Sequence, residues 1–369
     1  MTTPAYDIDA WRRRIPLLAS CIPMNNCSQA PQTDATRAAA ARYLDSWNTS
    51  GMDWDAWMTE VALAKNAFAK LIGAAPSDVA VFGSVSAAAS AVASALDLDG
   101  KRKRIVVSEM EFPGVAHVWL AQGRRGAQIA CDEQIDERTA LVSACHGWYV
   151  NGFVQDIASI AARARAAGAL SFVDAYQTLG AVPVNVRELG IDFLATGALK
   201  FLMGVPGIAF LYVRPEIVES LRPTATGWFG RVDPFAFDSQ TLDWSPNASR
   251  FDAGTPPVMN AYIARAGMEI INEVSPASIR AWHEVLARRL IEGGRARGLT
   301  LHGTDDVNHK TATTAFVVPD SHAVEAAMRA RGVLPSARGP VIRLAPHFYN
   351  TLDDVDRALD TLADVVRPR

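Results

Sequence analysis

Hydrophobic and polar residues follow two alternating patterns along the first part of the chain. Segments with apolar residues at helical spacing, as in 34–47 and 55–72, precede a series of short and almost continuously apolar runs. These runs predict buried strands over 79–82, 105–108, 140–145, 169–175, 193–196 and 207–213, and further helical segments at 85–96 and 157–169 lie between them. Continuously apolar strands separated by helices are typical of a mostly parallel sheet covered on both faces, so the sequence predicts an α/β fold.

The pattern changes after about residue 214. A stretch rich in Pro, Trp and Phe covers 222–258, and a long amphipathic segment follows over 260–297. Two strands, at 313–319 and 341–346, and a final helix at 353–366 complete the chain. We therefore expect an N-terminal segment over 1–30, a large domain over 31–258 and a smaller α+β domain over 259–369.

The composition argues against nucleic acid and membranes as binding partners. With 36 basic and 39 acidic residues, the net charge of −3 gives no general attraction for nucleic acid or for an anionic membrane. The basic run 101–104 lies between a loop and a predicted strand, which favours a solvated turn. No apolar run reaches the ~18 residues of a membrane span, and the polar N-terminus does not resemble a signal peptide.

The positions of the cysteines bear on metal binding and on the cellular compartment. The cysteines at 21, 27, 131 and 145 have neither the Cys-x-x-Cys nor the Cys/His spacing of a zinc site, so no metal is predicted. Their scattered positions fit a reducing environment better than a disulfide framework. We expect a cytoplasmic protein that binds neither nucleic acid nor membrane.

Polar residues mark the ends of several predicted strands. Asp174 lies at the end of one strand, Lys200 follows the next, and Ser84 and Ser86 open a helix after the first. Because ligands of parallel sheets bind at the carboxyl ends of the strands, we expect these residues to lie close together. A lysine, a carboxylate and an anion-binding helix N-terminus are the groups that pyridoxal 5′-phosphate requires. Desolvation lowers the pKa of such a lysine and favours its neutral, reactive form.

The segment 173–213 resembles the signature region of the class V aminotransferase-fold enzymes, which belong to fold type I of the pyridoxal-phosphate enzymes. Cysteine desulfurases, kynureninase and isopenicillin N epimerase are in this group. The shared pattern is Asp-Ala-x-Gln, then a lysine, a Gly-x-x-Gly turn and an apolar strand. Four further segments occur in the family's order, namely "MNNCSQAP" at 24–31, "EFP" at 111–113, "FDAGTPP" at 251–257 and "RLAPHFYNT" at 343–351. The resemblance covers nearly the whole chain and implies a large sheet domain with a smaller α+β domain.

The resemblance implies roles for the residues that match these motifs. Lys200 would form the Schiff base with the cofactor and later act as the general base at Cα, while Asp174 would pair with the pyridinium nitrogen. Gln177 would hydrogen-bond the cofactor's phenolic oxygen, and Phe112 would stack on its ring. Arg343 would bind the substrate carboxylate as a bidentate pair.

Other matching residues would surround the phosphate and the substrate. The implied phosphate contacts are Ser84, the Val85 backbone, Ser86 and Thr255, with Trp228 as a further cofactor contact. Thr255 would reach the phosphate of the other subunit, so the resemblance implies a homodimer with shared active sites. The substrate candidates are Asn26, Cys27, His146 and Arg338.

These roles have structural alternatives. Helix capping is the alternative for Asp174, Ser84 and Ser86, and a structural salt bridge is the alternative for Arg343. His146 could be a hydrogen-bonded core histidine, Cys27 a small buried side chain and Trp228 a packing residue. Arg338 could meet a second anionic group of the substrate or face solvent.

Two departures from the desulfurase pattern bear on the reaction. The region 330–344, where desulfurases carry a nucleophilic cysteine, contains none, and Phe112 occupies the position of their stacking histidine. A phenyl ring cannot carry a proton, so both differences argue against persulfide transfer. The chain is more similar to the kynureninase-like and epimerase-like members.

We therefore expect an enzyme that deprotonates Cα of a small amino acid and then cleaves a bond at Cβ, as in β-elimination and carbon–sulfur lyases. An aminotransferase is the main alternative, and an epimerase or racemase, a kynureninase-like hydrolase and a non-catalytic binding protein also stay open. Epimerisation requires a second acid or base on the side of the ring that Phe112 occupies. A non-catalytic protein would be marked by loss of Lys200 or Asp174, and both are present.

Overall fold

A computed structural model describes residues 3–131 and 134–367. Its strands are β1 (Ile22–Pro23), β2 (Val79–Phe82), β3 (Arg104–Val107), β4 (Gln128–Cys131), β5 (Thr139–Cys145), β6 (Leu170–Asp174), β7 (Phe193–Gly197), β8 (Ala209–Val213), β9 (Leu301–His302), β10 (Thr314–Val317), β11 (Val333–Leu334), β12 (Ser336–Arg338) and β13 (Val341–Leu344). Its α-helices are α1 (Ile8–Arg13), α2 (Asp34–Thr49), α3 (Trp54–Ile72), α4 (Val85–Ser94), α5 (Pro113–Ala121), α6 (Ile157–Ala166), α7 (Val186–Leu189), α8 (Pro215–Val218), α9 (Val258–Val274), α10 (Pro276–Ala296), α11 (Ser321–Arg329) and α12 (Leu352–Val366).

The large sheet has seven strands in the order β2-β8-β7-β6-β5-β3-β4. Strands β7, β6, β5, β3 and β4 are parallel to one another, whereas β8 is antiparallel to both β2 and β7. This arrangement confirms the prediction of a mostly parallel sheet. All six strands that the apolar runs predicted are present, and β4 is an additional edge strand with partly exposed residues.

Both faces of the sheet are buried, which explains the continuously apolar strands. On β2, Val79 and Val81 face a core that contains Phe68 of α3, whereas Ala80 and Phe82 face a second core built around α4 and α5. Successive side chains of a strand point to opposite faces, so a strand between two helical layers needs apolar residues at every position.

The C-terminal part contains a second sheet with the strand order β12-β13-β10-β9. Its apolar side chains pack with residues of α10, α11 and α12. The N-terminal strand β1 pairs in parallel with β11, so the start of the chain is attached to this region. The division into 1–30, 31–258 and 259–369 stays a prediction, and helix α9, beyond the second boundary, packs against α2 and α3.

The amphipathic segment 260–297 consists of two helices rather than one. Helix α9 ends at Val274, and α10 begins at Pro276 after Ser275, which has a φ of 77°. Proline has no N–H to continue the α9 ladder, but it suits the first turn of a new helix. Helix α9 packs in the core that contains Phe68, whereas α10 supplies residues to the core of the second sheet.

Neither a membrane-spanning helix nor a metal-binding cluster is found among the described residues. No helix in 3–131 or 134–367 is both long and apolar enough to cross a membrane. The same ranges contain no cluster of three or more His, Cys, Asp or Glu side chains that could hold a metal ion.

Candidate active site

A small cleft opens at the carboxyl ends of β6 and β7. Its lining residues are Phe112, Cys145, Gly147, Tyr149, Asp174, Tyr176, Gln177 and Lys200. The topology brings them together because β5, β6 and β7 are adjacent and parallel, so the loops that follow them meet at one edge of the sheet. Four residues predicted from sequence, Lys200, Asp174, Gln177 and Phe112, therefore share one site.

Lys200 extends into this cleft from the loop after β7. Its Nζ lies 4.1 Å from the ring centroid of Tyr176 and 5.7 Å from that of Phe112. Among the described residues, no acceptor lies within hydrogen-bond distance of this nitrogen. Desolvation lowers the pKa of Lys200 to about 8, although the charge of Asp174 opposes that shift. The amine is thus accessible and readily deprotonated.

Gly197 leaves space for the aromatic ring of Tyr176, which lies next to Lys200. A Cβ atom added to Gly197, the last residue of β7, would lie 2.4 Å from Cζ of Tyr176. Any other residue would push the Tyr176 ring away from the end of the strand. The close approach of this ring to Lys200 therefore depends on a glycine at the strand terminus.

Asp174 is the last residue of β6 and is 4% exposed. Its Oδ1 accepts a hydrogen bond of 2.8 Å from the Tyr176 N–H, whereas Oδ2 has no protein donor among the described residues. Burial raises the pKa of Asp174, and the Tyr176 N–H and Lys200 oppose that change. A buried carboxylate with one open oxygen suits a protonated ring nitrogen as its partner.

The N-terminal segment closes one wall of the cleft. Gln177 donates through Nε2 to the Cys27 carbonyl at 3.0 Å. Cys27 is 1% exposed, and its side chain packs in a small apolar cluster. Asn26 donates to the Ala345 carbonyl and accepts from the Tyr349 hydroxyl, both at 2.8 Å. These contacts fix the segment in place, and the predicted substrate roles of Asn26 and Cys27 stay predictions.

The N-terminus of α4 offers backbone donors for an anion. Ser84 caps the helix, since its Oγ accepts from the Ala87 N–H at 3.1 Å, and Ser86 donates its hydroxyl to the Gly114 carbonyl at 3.0 Å. Among the described residues, the N–H groups of Val85 and Ser86 have no acceptor. Capping by Ser84 therefore coexists with free donors at the positive end of the helix dipole.

Sequence reasoning missed Glu111, the residue before Phe112. Its Oε1 accepts from the Phe112 N–H at 3.0 Å, and its Oε2 accepts from Ser143 Oγ at 2.9 Å. Trp119 Nε1 donates to the same Ser143 oxygen at 2.8 Å, so this tryptophan belongs to the supporting core. Burial raises the pKa of Glu111, and the charge of Asp174 raises it further. The position of Glu111 within "EFP" was the only signal in the sequence.

Arg343 lies on β13 and is 1% exposed. It donates to the Tyr149 carbonyl at 2.6 Å, to Ser336 Oγ at 2.5 Å and to Ser28 Oγ at 3.0 Å. No carboxylate of the described chain lies within salt-bridge distance of it, so the structural salt bridge considered from sequence is not found. A buried guanidinium whose partners are all neutral oxygens retains an unbalanced charge that suits an anionic ligand.

Four further candidates do not line the cleft. His146 lies between two lining residues, but its Nδ1 pairs with Thr178 Oγ1 at 2.9 Å, and burial lowers its pKa to about 4. Trp228 packs among aromatic rings, including those of Trp54 and Phe235. Thr255 is exposed on the surface of the chain. Arg338, the remaining substrate candidate, is exposed on β12.

The residues present fit pyridoxal phosphate. The lysine amine has no acceptor, the aspartate has an open oxygen, the N–H groups at the start of α4 are free, and the ring of Phe112 borders the same cleft. Fold and site together define a pyridoxal-phosphate enzyme of fold type I. The family model "Aminotransferase class-V" matches residues 30–357, so the chain belongs to that family.

Similar proteins agree with this assignment. An uncharacterized aminotransferase of Bacillus subtilis, YcbU, is 35% identical over 368 residues, which cover 96% of this chain and 97% of the relative. A kynureninase of Pseudomonas fluorescens is 28% identical over 346 residues, with coverage of 88% and 82%. These matches confirm the predicted family and cofactor, and they identify the chain as an enzyme of the transferase or lyase type.

Solved structures support the fold. An apo cysteine desulfurase of Thermococcus onnurineus NA1 superposes with a TM-score of 0.86 over 99% of both chains, at 21% identity. The cystine C–S lyase C-DES superposes with a TM-score of 0.85, covering 95% of this chain and 99% of that one, at 17% identity. At such identities the likeness concerns the fold alone.

Proposed function

We propose that Lys200 binds pyridoxal phosphate covalently and then removes the Cα proton of an amino acid whose carboxylate binds Arg343. The observation that supports this proposal is the acceptor-free amine of Lys200 in the cleft that also contains Asp174. When bound, the cofactor supplies an electron sink for the pair left at Cα. A positioned general base contributes about 10²–10⁴-fold to the rate of a proton transfer.

The surrounding residues would orient the reactants. Asp174 would accept a hydrogen bond from the protonated ring nitrogen through its open Oδ2, and the N–H groups of Val85 and Ser86 would hold the phosphate. Phe112 would cover one face of the ring and exclude water from it. Arg343, fixed by its hydrogen bond to the Tyr149 carbonyl, would orient the substrate carboxylate.

For the step after deprotonation, we propose bond cleavage at Cβ. The electron pair from the Cα–H bond would expel a leaving group from Cβ, and hydrolysis of the unsaturated product would release a 2-oxo acid and ammonia. Epimerisation is less compatible with the site, because Phe112 cannot supply a proton to the opposite face. A persulfide step is also disfavoured, since residues 330–344 contain no cysteine and Cys27 is buried.

An aminotransferase is the second candidate, and the relative YcbU, at 35% identity, is named as one. In that reaction Lys200 would return the proton that it removed, and the cofactor would supply the acceptor for the amino group. Both reactions use the same lysine and the same carboxylate site, and they differ in the fate of the proton, the electron pair and the amino group after deprotonation.

One experiment separates the two reactions. Holoenzyme is mixed with an excess of each amino acid, and both 2-oxo acid and the amino form of the cofactor are quantified over time. Repeated release of 2-oxo acid and ammonia with the cofactor unchanged supports cleavage at Cβ. One equivalent of 2-oxo acid with stoichiometric conversion of the cofactor to its amino form would establish the aminotransferase instead.

We also propose that the site is completed by a second copy of the chain. Thr255 does not line the cleft of its own chain, and the family resemblance implies that it reaches the phosphate of the other subunit. Inactive Lys200→Ala protein, mixed and refolded with a Thr255 variant of low activity, should then regain activity, because one site of the mixed dimer carries neither change. Activity that stays at the sum of the two separate variants would contradict shared sites.

A further inference from the structure

Two arginines lie on the same face of the hairpin formed by β12 and β13. In this antiparallel pair, Ser336 is opposite Arg343 and Arg338 is opposite Val341. Residues directly opposite each other project to one face, as do residues two apart on a strand. Arg338, Ser336 and Arg343 therefore share a face, and the bond from Arg343 to Ser336 Oγ at 2.5 Å agrees with this geometry.

Both guanidinium groups contact Tyr149, a residue that lines the cleft. Arg343 donates to the Tyr149 carbonyl at 2.6 Å, and the Arg338 guanidinium lies 5.9 Å from the Tyr149 ring centroid. The same ring meets Phe112 edge to face, with centroids 5.2 Å apart. Neither arginine lines the cleft itself, but both contact its lining residue Tyr149, Arg343 from a buried position and Arg338 from an exposed one.

The two arginines beside Tyr149 carry positive charge that no protein carboxylate neutralises. Among the described residues, neither Arg338 nor Arg343 is within salt-bridge distance of a carboxylate, whereas many other arginines are, such as Arg214 with Asp192 at 2.7 Å. Among the described residues that line the cleft, Asp174 is the only carboxylate and Lys200 the only lysine or arginine, so neither Arg338 nor Arg343 has a counter-ion there. One substrate carboxylate bound to Arg343 would leave the charge of Arg338 without a partner.

We infer that the substrate is an acidic amino acid, whose α-carboxylate binds Arg343 and whose side-chain carboxylate binds Arg338. This inference rests on the proposed function, because it assumes that Arg343 orients the amino acid at Lys200. Diagonal positions across an antiparallel pair are separated by about 7–8 Å. A four- or five-carbon dicarboxylic amino acid can bridge that separation when two flexible arginine side chains approach it from one face, and for cleavage it would also carry a leaving group on Cβ.

Matched pairs of amino acids test the inference. Aspartate is compared with asparagine and glutamate with glutamine, because each pair has the same shape and differs in one charge. Apparent dissociation constants are measured from the change in the cofactor's visible absorbance when the holoenzyme is titrated. We expect at least one acid to bind roughly 10-fold or more tightly than its amide, the effect of one charge-assisted hydrogen bond.

Three variants show whether Arg338 carries this preference. In Arg338→Gln, the ratio of the two constants should fall towards one, and Arg338→Lys should restore part of it. Arg331→Gln, at an exposed arginine of the same region, should leave the ratio as in the wild type. Because the preference is electrostatic and depends on an exposed side chain, the ratio should also decrease as salt is raised.

The outcomes separate this inference from the proposed function. Equal binding of acid and amide by the wild type, or a preference that persists in Arg338→Gln, would overturn the inference while leaving Lys200 as the cofactor lysine. A holoenzyme whose absorbance responds to no amino acid would overturn the proposed function, and the inference with it.

Discussion

Lys200 and Lys310 are two lysines of low basicity in different surroundings. Lys310 is 2% exposed, and its Nζ donates to the Thr313 carbonyl at 3.0 Å and to Thr314 Oγ1 at 2.7 Å. Desolvation lowers its pKa to about 7, and the charge of Arg280 adds to that effect. Lys200 has a pKa of about 8 for the same main reason, but its amine faces a cleft and has no acceptor among the described residues.

The difference shows that a low pKa does not by itself identify a reactive lysine. By pKa alone, Lys310 would be the better nucleophile at neutral pH. Its nitrogen, however, is held by two oxygens and closed off from solvent, so an aldehyde cannot reach it. At Lys200 the same desolvation acts on an amine that a ligand can approach, beside a carboxylate with an open oxygen. Access and partners therefore distinguish the reactive lysine from the structural one.

Replacing Lys200 and Lys310 in turn should produce the largest difference, in both covalent cofactor and turnover. Lys200→Ala should abolish covalent cofactor attachment and lower turnover by about 10³-fold or more, because it removes both the attachment point and the general base. Lys310→Met should retain covalent cofactor. Visible absorbance and amino-acid turnover of the two purified variants provide the measurement. Covalent cofactor in Lys200→Ala would contradict the assignment.

Neutralising the carboxylate beside Lys200 should have the next largest effect. Asp174→Asn should lower turnover by about 10²-fold, because the ring nitrogen loses its charged partner. The charge of Asp174 raises the pKa of Lys200, so its removal should let the amine lose its proton at lower pH. The rate of cofactor uptake by apoenzyme should rise with pH around a midpoint near 8 in the wild type, and at lower pH in the variant.

Asp192→Asn is the matched control for that experiment. Asp192 is also a buried aspartate, but it lies before β7 and pairs with Arg214 at the opposite end of the strand. This variant should keep the wild-type midpoint of cofactor uptake even if its stability is reduced. A shift of equal size in both variants would show that the pH midpoint of cofactor uptake does not depend specifically on the charge of Asp174.

Lys310 should affect the pH dependence of stability rather than catalysis. The folded pKa of about 7 is below the ordinary value of 10.5, so between these pH values the unfolded state binds more protons. Lys310 therefore destabilises the protein near pH 7. The free energy of unfolding rises with pH between about 7 and 10.5, by up to ~1.4 kcal/mol per pH unit. The advantage of Lys310→Met over the wild type should shrink accordingly between pH 7.5 and pH 9.5, a window of about 2 units, in urea unfolding. A constant difference would contradict the buried, deprotonated state.

Much of the fold could be predicted because its strands are buried on both faces. The apolar runs at 79–82 and 193–196 stand out from the helices around them, and both are strands in the structure. Strand β4 was not predicted, since its residues Gln128–Cys131 lie at a sheet edge with partly exposed side chains and do not form a continuous apolar run. The pattern of hydrophobicity reports burial, and an edge strand has little of it.

The positions of the site residues could be predicted where those residues lie at or just after the ends of strands. Lys200 and Asp174 follow neighbouring parallel strands, so their proximity could be expected from the fold class. The contacts of Arg343 could not, because one of its partners is the backbone carbonyl of Tyr149, which leaves no mark in the side-chain sequence. Glu111 also required the structure, since its role depends on Ser143 from a separate strand.

Chemical trapping of the cofactor on the wild-type enzyme would locate the reactive lysine. Holoenzyme is reduced with borohydride, digested and analysed by mass spectrometry, with each lysine-containing peptide compared before and after reduction. We expect the reduced cofactor on the peptide that contains Lys200, with the peptide that contains Lys310 unmodified. Attachment to Lys310, or to no lysine at all in a yellow and active preparation, would contradict the assignment of Lys200.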